Sequence, residues 1–119
     1  MQNDLGLLNF TKLKILIMSY TIINNEKDKR FEIHEDGFVA FEQYELFEGG
    51  ISYLHTEVPK ELEGKGIASA IAKYILDYAE ENNLKVKPYY PYIKAYIDKH
   101  IEYQANSVFH NPDLAHFKK

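Results

Sequence analysis

The sequence contains no cysteine among its 119 residues. A chain without thiols forms no disulfide, no thiolate nucleophile and no cysteine-ligated zinc or iron–sulfur centre. It also has no long apolar run, because Lys12 and Lys14 interrupt the N-terminal apolar stretch, whereas a membrane span needs roughly 18 consecutive apolar residues. The residues after that stretch do not resemble a signal-peptide cleavage site. We therefore expect a cytoplasmic protein without a membrane partner.

An excess of positive charge is also missing. Lysine and arginine number 14 against 18 aspartates and glutamates, which gives a net charge of −4 at pH 7. Such a surface does not attract polyanions, so we expect no nucleic-acid partner. The histidines His34, His100, His110 and His116 show no metal-ligand spacing, and we predict no metal site.

The length and the 45% hydrophobic content suit one domain with one modest core. Met18 directly precedes the first strand-like segment, so we interpret residues 1–17 as an N-terminal extension. The domain is expected over residues 18–103, followed by a polar C-terminal tail at 104–119. The sequence leaves the oligomeric state open.

Apolar residues first recur with a period of two, which is typical of strands. This pattern predicts antiparallel strands around Tyr20 and Ile22, around Phe31 and Ile33, and over 38–47 and 51–58. The turns between them are expected at Asn24-Asn25 with Lys27-Asp28, at Asp36-Gly37, and at Gly49-Gly50.

The period then changes to that of a helix. One helical face is predicted from Ile67, Ile71, Tyr74, Ile75 and Tyr78, with a stop at Asn82-Asn83. A short strand over 84–87 and a second helix over 92–99 follow. This order predicts an α+β fold, with a mixed, mostly antiparallel sheet and one βαβ crossover.

A Gly-x-Gly turn, Gly64-Lys65-Gly66, lies between the fourth predicted strand and the first helix. Two close glycines let an anion approach the backbone N–H groups at the start of a helix, where the helix dipole is positive. Ser69 replaces the third glycine of a dinucleotide fingerprint, and the P-loop spacing is also missing. An anion cradle and an ordinary tight turn both remain open from this pattern alone.

The stretch from Glu61 through Gly64, Gly66 and Ala68 resembles the acyl-CoA signature of the GNAT N-acetyltransferase superfamily. Further segments resemble its small, single-domain branch. They are His55-Thr56-Glu57-Val58-Pro59, Asp77-Tyr78-Ala79, Pro88-Tyr89-Tyr90-Pro91-Tyr92-Ile93 and Ala95-Tyr96-Ile97. The resemblance covers roughly residues 20–103 and implies a minimal GNAT fold that uses acetyl-CoA as co-substrate.

The resemblance also implies roles for individual residues. The backbone of Val58 would pair with the pantetheine arm, and the amides of Gly64, Lys65, Gly66, Ile67 and Ala68 would hold the pyrophosphate. Two positions depart from the family pattern. Glu61 stands where Gln or Arg is usual, so its side chain is expected to face solvent. Tyr90 stands where this branch often carries a cysteine considered as a catalytic candidate, which excludes an acyl-cysteine intermediate.

With no thiol, acetyl transfer would proceed by direct attack of an amine. His55 is the best candidate base, because its ordinary pKa suits proton transfer at neutral pH. Glu57 would share its face and orient it or bind a cationic amine. Tyr90 or Tyr96 would donate a proton to the leaving thiolate, with Tyr96 beside the cofactor. The alternative for each of the four is a structural role, in the sheet, in the core or at the surface.

The sequence thus favours an acetyl-CoA-dependent N-acetyltransferase acting on a small-molecule or protein amine. A CoA-binding module with little or no turnover is the alternative. A third possibility is an interaction protein in which Gly-x-Gly is only a turn.

Overall fold

The computed structural model describes residues 20–118. The predicted extension at residues 1–17, Met18 and the last residue of the predicted tail lie outside the described residues.

The described residues form a five-stranded sheet with the strands in chain order. The strands are β1 (Ile23–Asn25), β2 (Arg30–Glu35), β3 (Phe38–Phe47), β4 (Gly50–Glu57) and β5 (Lys85–Pro88), and the helices are α1 (Ile67–Glu81) and α2 (Pro91–Lys99). The first four strands are antiparallel, and β5 runs parallel to β4 after the crossover through α1. This arrangement confirms the predicted α+β class and the minimal GNAT fold.

The predicted Asp36-Gly37 hairpin is confirmed, with positive φ at both residues (52° and 82°), as a two-residue turn of this kind requires. Two other turns were predicted correctly only in part. Lys27 and Asp28 lie in the turn between β1 and β2, whereas Asn24 and Asn25 belong to β1. Gly49 lies in the turn between β3 and β4. Gly50 pairs with Phe47 inside the sheet, where a Cβ would collide with the Phe47 ring and the Lys85 carbonyl.

A bulge in β4 places the site residues. Gln43 pairs with His55 and Tyr44 pairs with Tyr53, so Leu54 is skipped in the register. The extra residue shifts the alternation of the strand: Tyr53 and Thr56 are buried, whereas His55 is exposed. Without the bulge, His55 would lie on the same face as Tyr53.

Helix α1 covers one face of the sheet and supplies six of the eighteen buried hydrophobic residues among those described. Its buried residues are Ile67, Ile71, Ala72, Ile75, Leu76 and Ala79. Burial of each isoleucine contributes roughly 1.5–3 kcal/mol. Below the helix, the hydroxyl of Tyr53 donates to the carbonyl of Ile75 over 2.7 Å. The helix ends as predicted, with Asn82 as its C-cap and Asn83 at φ 58°.

Packing continues beyond residue 103. Ser107 and Val108 are buried, and the Val108 N–H donates to the Val86 carbonyl over 2.8 Å. His110 joins this segment to α2, because its Nε2 lies 2.6 Å from Asp98 Oδ1 and its Nδ1 lies 2.6 Å from Ser107 Oγ. The predicted boundary between residues 103 and 104 therefore does not coincide with an end of packing.

Candidate functional site

The parallel strands β4 and β5 pair over four residues and then part. Their last paired residues are Tyr53 and Pro88. Beyond them the β4 bulge turns the strand away, and a cavity of about 340 Å³ opens between the two strand ends. Its lining residues are His55, Thr56, Glu57, Val58, Ala68, Tyr90 and Tyr92.

A second cavity, of about 260 Å³, lies at the start of α1. It shares Val58, Ala68 and Tyr92 with the first, so the two form neighbouring parts of one groove. Its other lining residues are Leu62, Glu63, Gly64, Gly66, Ile67 and Ser69. The groove therefore runs from the loop before α1 to the opening between the strands.

The loop before α1 has the features of an anion cradle. Gly64 and Gly66 adopt φ of 80° and 73°, the left-handed region that favours glycine. A Cβ on either would meet no atom of the described residues within 4 Å, so the space above the loop is open. Gly66 is the N-cap of α1, and the first N–H groups of a helix have no acceptor inside it. The geometry fits a phosphate or pyrophosphate group.

The Lys65 side chain points elsewhere. Its ammonium lies 3.0 Å from Asp36 Oδ2, and this carboxylate raises the pKa of Lys65. Its carbonyl accepts a hydrogen bond from the Tyr20 hydroxyl over 2.6 Å. Lys65 thus contributes backbone to the loop, and its side chain is absent from the lining of the second cavity. Glu61 is exposed, as predicted.

His55, Glu57 and Tyr90 meet at the opening. His55 Nε2 lies 2.7 Å from Glu57 Oε1, and both side chains are about half exposed (47% and 51%). The His55 and Tyr90 rings contact edge to face, with centroids 5.1 Å apart and an interplanar angle of 86°. The backbone of Tyr90 is the N-cap of α2, with Pro91 following at the first helical position. The three predicted catalytic residues are therefore neighbours.

A model of the GCN5-related N-acetyl-transferase family matches residues 30–106. The chain belongs to this family. The match includes β2 to β5, both helices and every residue named above as lining the groove. Membership supports acyltransferase activity for this GCN5-related chain. No curated protein matches the chain.

Tyr92 lies beside the groove, where Tyr96 was expected. Tyr96 is absent from the lining of both cavities, and its ring stacks on His100 with centroids 3.8 Å apart. Tyr92, one turn earlier on α2, lines both cavities. Burial raises the pKa of Tyr92, and a hydrogen bond with Ser69 partly opposes the rise. Spacing on α2 could not separate Tyr92 from Tyr96, because residues four apart lie on the same face of a helix.

Glu42 was missed by sequence reasoning. It lies on the core face of β3, fully buried, and accepts a hydrogen bond from the Thr56 hydroxyl. Burial raises the pKa of Glu42 to about 7, and the Thr56 hydrogen bond and the nearby His55 N–H oppose the rise. Since Thr56 lines the larger cavity, a buried titratable group lies directly behind the groove of this family member.

Within residues 20–118, no group of three or more His, Asp or Glu side chains is placed to hold a metal ion. In the same part of the chain, no helix has the length and apolar content needed to cross a membrane.

Proposed function

We propose that the protein transfers an acetyl group from acetyl-CoA directly to an amine. The observation that carries this proposal is the continuous groove, which joins the anion cradle before α1 to His55, Glu57 and Tyr90 between the strand ends. Family membership supports the reaction class. We also propose acetyl-CoA as the donor, an amine as the acceptor and a cytoplasmic location.

The two parts of the groove suit the two parts of the donor. The backbone N–H groups from Gly64 to Ala68 would hold the pyrophosphate, because they sit at the positive end of α1. Val58 directly follows β4 and lines both cavities. Its backbone would pair with the pantetheine arm where β5 has diverged, in the manner of an added strand. The thioester would then lie in the larger cavity.

His55 is the proposed base. Glu57 bonds to Nε2 and so orients the ring, which leaves Nδ1 to take the proton. The amine nitrogen attacks the thioester carbonyl, a C–N bond forms and the C–S bond breaks. The amine proton passes to His55, and the thiolate takes the hydroxyl proton of Tyr90. No acyl-enzyme on sulfur forms, because the chain has no cysteine.

The proposed acceptor is a small-molecule or protein amine. The exposed Glu57 carboxylate at the opening would attract a cationic amine, in agreement with the net charge of −4. Two acidic side chains, Glu57 and Glu63, line the groove, while the Lys65 ammonium is paired with Asp36.

A second function is favoured by Tyr90 itself. Its ring occupies the opening, in contact with His55, at the position where related proteins often carry cysteine. A protein that binds acetyl-CoA and transfers little or nothing would have the same donor groove.

Two measurements separate these functions. Calorimetry with acetyl-CoA should show binding, and no heat at about 1 mM would remove both CoA functions. A thiol-release assay over a panel of primary amines, diamines and lysine peptides should then show turnover. Binding without turnover on any amine would leave the non-catalytic function.

A further inference from the structure

The buried carboxyl group of Glu42 is unusual in its surroundings. Phe31 is its partner on β2 and Thr56 its partner on β4, and the core residues Phe31 and Tyr53 lie on its side of the sheet. Its Oε1 accepts the Thr56 hydroxyl, and its Oε2 has no hydrogen-bond partner among the described residues. A buried carboxyl oxygen without a hydrogen-bond partner lowers the stability of an apolar core. A role for the carboxyl group elsewhere in the structure would explain why it is there.

Thr56 connects this carboxyl group to the groove. It is 8% exposed, lines the larger cavity, and stands between His55 and Glu57 in β4. Its hydroxyl points to Glu42, while its two neighbours point to the other side of the strand. The Glu42–Thr56 hydrogen bond thus holds Thr56 on the buried side of β4, and His55 and Glu57 point to the exposed side.

The bond also distinguishes between two registers of β4. In the observed register, after the skipped Leu54, Glu42 faces Thr56. In a regular ladder without the bulge, Glu42 would face His55. His55 and Glu57 would then lie on the buried side with Glu42, and Thr56 would turn outward. The observed register buries only the Thr56 hydroxyl with Glu42, whereas the regular one would bury the polar side chains of His55 and Glu57 with it. A buried polar contact of this kind is an established means of selecting a register.

We propose that Glu42 is a positioning residue: through Thr56 it selects the bulged register of β4 and thereby holds His55 and Glu57 in the opening, opposite Tyr90. The consequence for acetyl transfer rests on the proposed function. The placement of His55 does not, and it can be measured in the absence of any substrate.

The decisive experiment is an NMR measurement of the contact between the His55 and Tyr90 rings in the full chain. Thr56→Val replaces the hydroxyl with a methyl group of similar size, and Thr56→Ser keeps the hydroxyl. We expect the ring contact to be lost in Thr56→Val and retained in Thr56→Ser. Glu42→Gln, which keeps the acceptor oxygen, should also retain it, and Glu42→Leu should lose it.

Glu32→Leu is the matched control. Glu32 is also a buried glutamate of the sheet, bonded to Arg30, His34 and Asn25 and placed between the core residues Phe31 and Ile33, so it faces away from α1. Its loss should lower stability and leave the His55–Tyr90 contact intact. If the His55–Tyr90 contact survives in Thr56→Val, the proposal is overturned. Because Thr56→Val is isosteric, it tests the proposal even if Glu42→Leu does not fold.

A kinetic arm tests the consequence. Thr56→Val should lower kcat about tenfold to a hundredfold, the scale of a misplaced catalytic group, with the Kd for acetyl-CoA changed less than about threefold. Thr56→Ser should restore kcat. If the wild-type protein has no turnover, the proposed function fails, while the ring contacts still support or overturn the positioning role. A kcat that falls equally in Glu32→Leu counts against Glu42.

Discussion

The peptide N–H of Tyr90 donates to the carbonyl oxygen of Tyr53 over 3.1 Å. This carbonyl also accepts the N–H of Tyr89, over 3.0 Å, at the point where β4 and β5 part. Main-chain bonds thus fix the place of residue 90, and its side chain is left to face the groove. Tyr90 can therefore be varied without moving the strands.

Tyr90→Phe should keep the ring contact with His55 and lose the proton donor to the thiolate. We expect kcat for acetyl transfer to fall at least about tenfold, because general acids contribute roughly 10²–10⁴-fold. The Kd for acetyl-CoA should stay the same. Tyr89→Phe is the control, since Tyr89 is exposed and packs on Phe109. Equal kcat values for wild type and Tyr90→Phe would show that Tyr90 does not donate the proton and has only a packing role.

His55→Gln should remove the base and lower kcat about a hundredfold, with donor affinity unchanged. His34→Gln is a close match as control. His34 is also exposed and also bonds to a glutamate, with Nε2 2.9 Å from Glu32 Oε1, but it lies on β2 away from the groove. Steady-state thiol release measures both variants. Similar losses in the two would show that the His55 effect is not local.

Gly64→Ala should weaken acetyl-CoA binding. A side chain there is strained at φ 80°, and its Cβ would project into the open space of the cradle. Gly37→Ala has comparable strain (φ 82°) and comparable open space, in the β2–β3 hairpin. Both variants should lose similar stability on thermal unfolding. Calorimetry should show reduced affinity for acetyl-CoA in Gly64→Ala and unchanged affinity in Gly37→Ala. Equal affinities in the two variants would mean that the phosphates of acetyl-CoA bind elsewhere.

The stability of the protein should depend on pH through Glu42. Its pKa is about 7 in the folded state against 4.5 when unperturbed, because it is buried. Between these values the folded chain keeps a proton that the unfolded chain releases. The free energy of unfolding should therefore fall as pH rises from 4.5 through 7, by about 3 kcal/mol at most.

Urea unfolding at pH 4.5 and pH 8 measures this effect. Glu42→Gln cannot ionise, so its stability relative to wild type should increase with pH. Glu32 acts in the opposite direction at lower pH. Burial raises its pKa, but hydrogen bonds from His34, Asn25 and Arg30 outweigh burial and hold the pKa at about 2. Its contribution is present above pH 4.5 and is lost on acidification. Parallel pH curves for wild type and Glu42→Gln would contradict the role of Glu42.

Local patterns predicted much of the fold. The period of α1, its Asn82 stop and the Asp36-Gly37 turn depend on neighbours a few residues apart, and the structure confirms them. His55 and Glu57 are two positions apart on the same strand, so their shared face follows from strand geometry alone. These features need no knowledge of the partner strand.

The bulge and the buried carboxyl group could not be predicted in the same way. Skipping Leu54 is a property of the pairing between β3 and β4, and Glu42 in a strand pattern resembles any solvated residue. The places of Tyr92 and Tyr96 depend on how α2 lies against β4 and β5. Each of these features follows from contacts between residues distant in the chain.

Two contacts hold Lys65 on the side of the loop away from the groove. The Tyr20 hydroxyl donates to its carbonyl, and the Asp36 carboxylate forms an ion pair with its ammonium. Gly64 and Gly66 of the same loop line the cavity. A loop anchored on its outer side is already ordered before any ligand arrives. Donor binding would then cost less chain entropy than binding to an unordered loop.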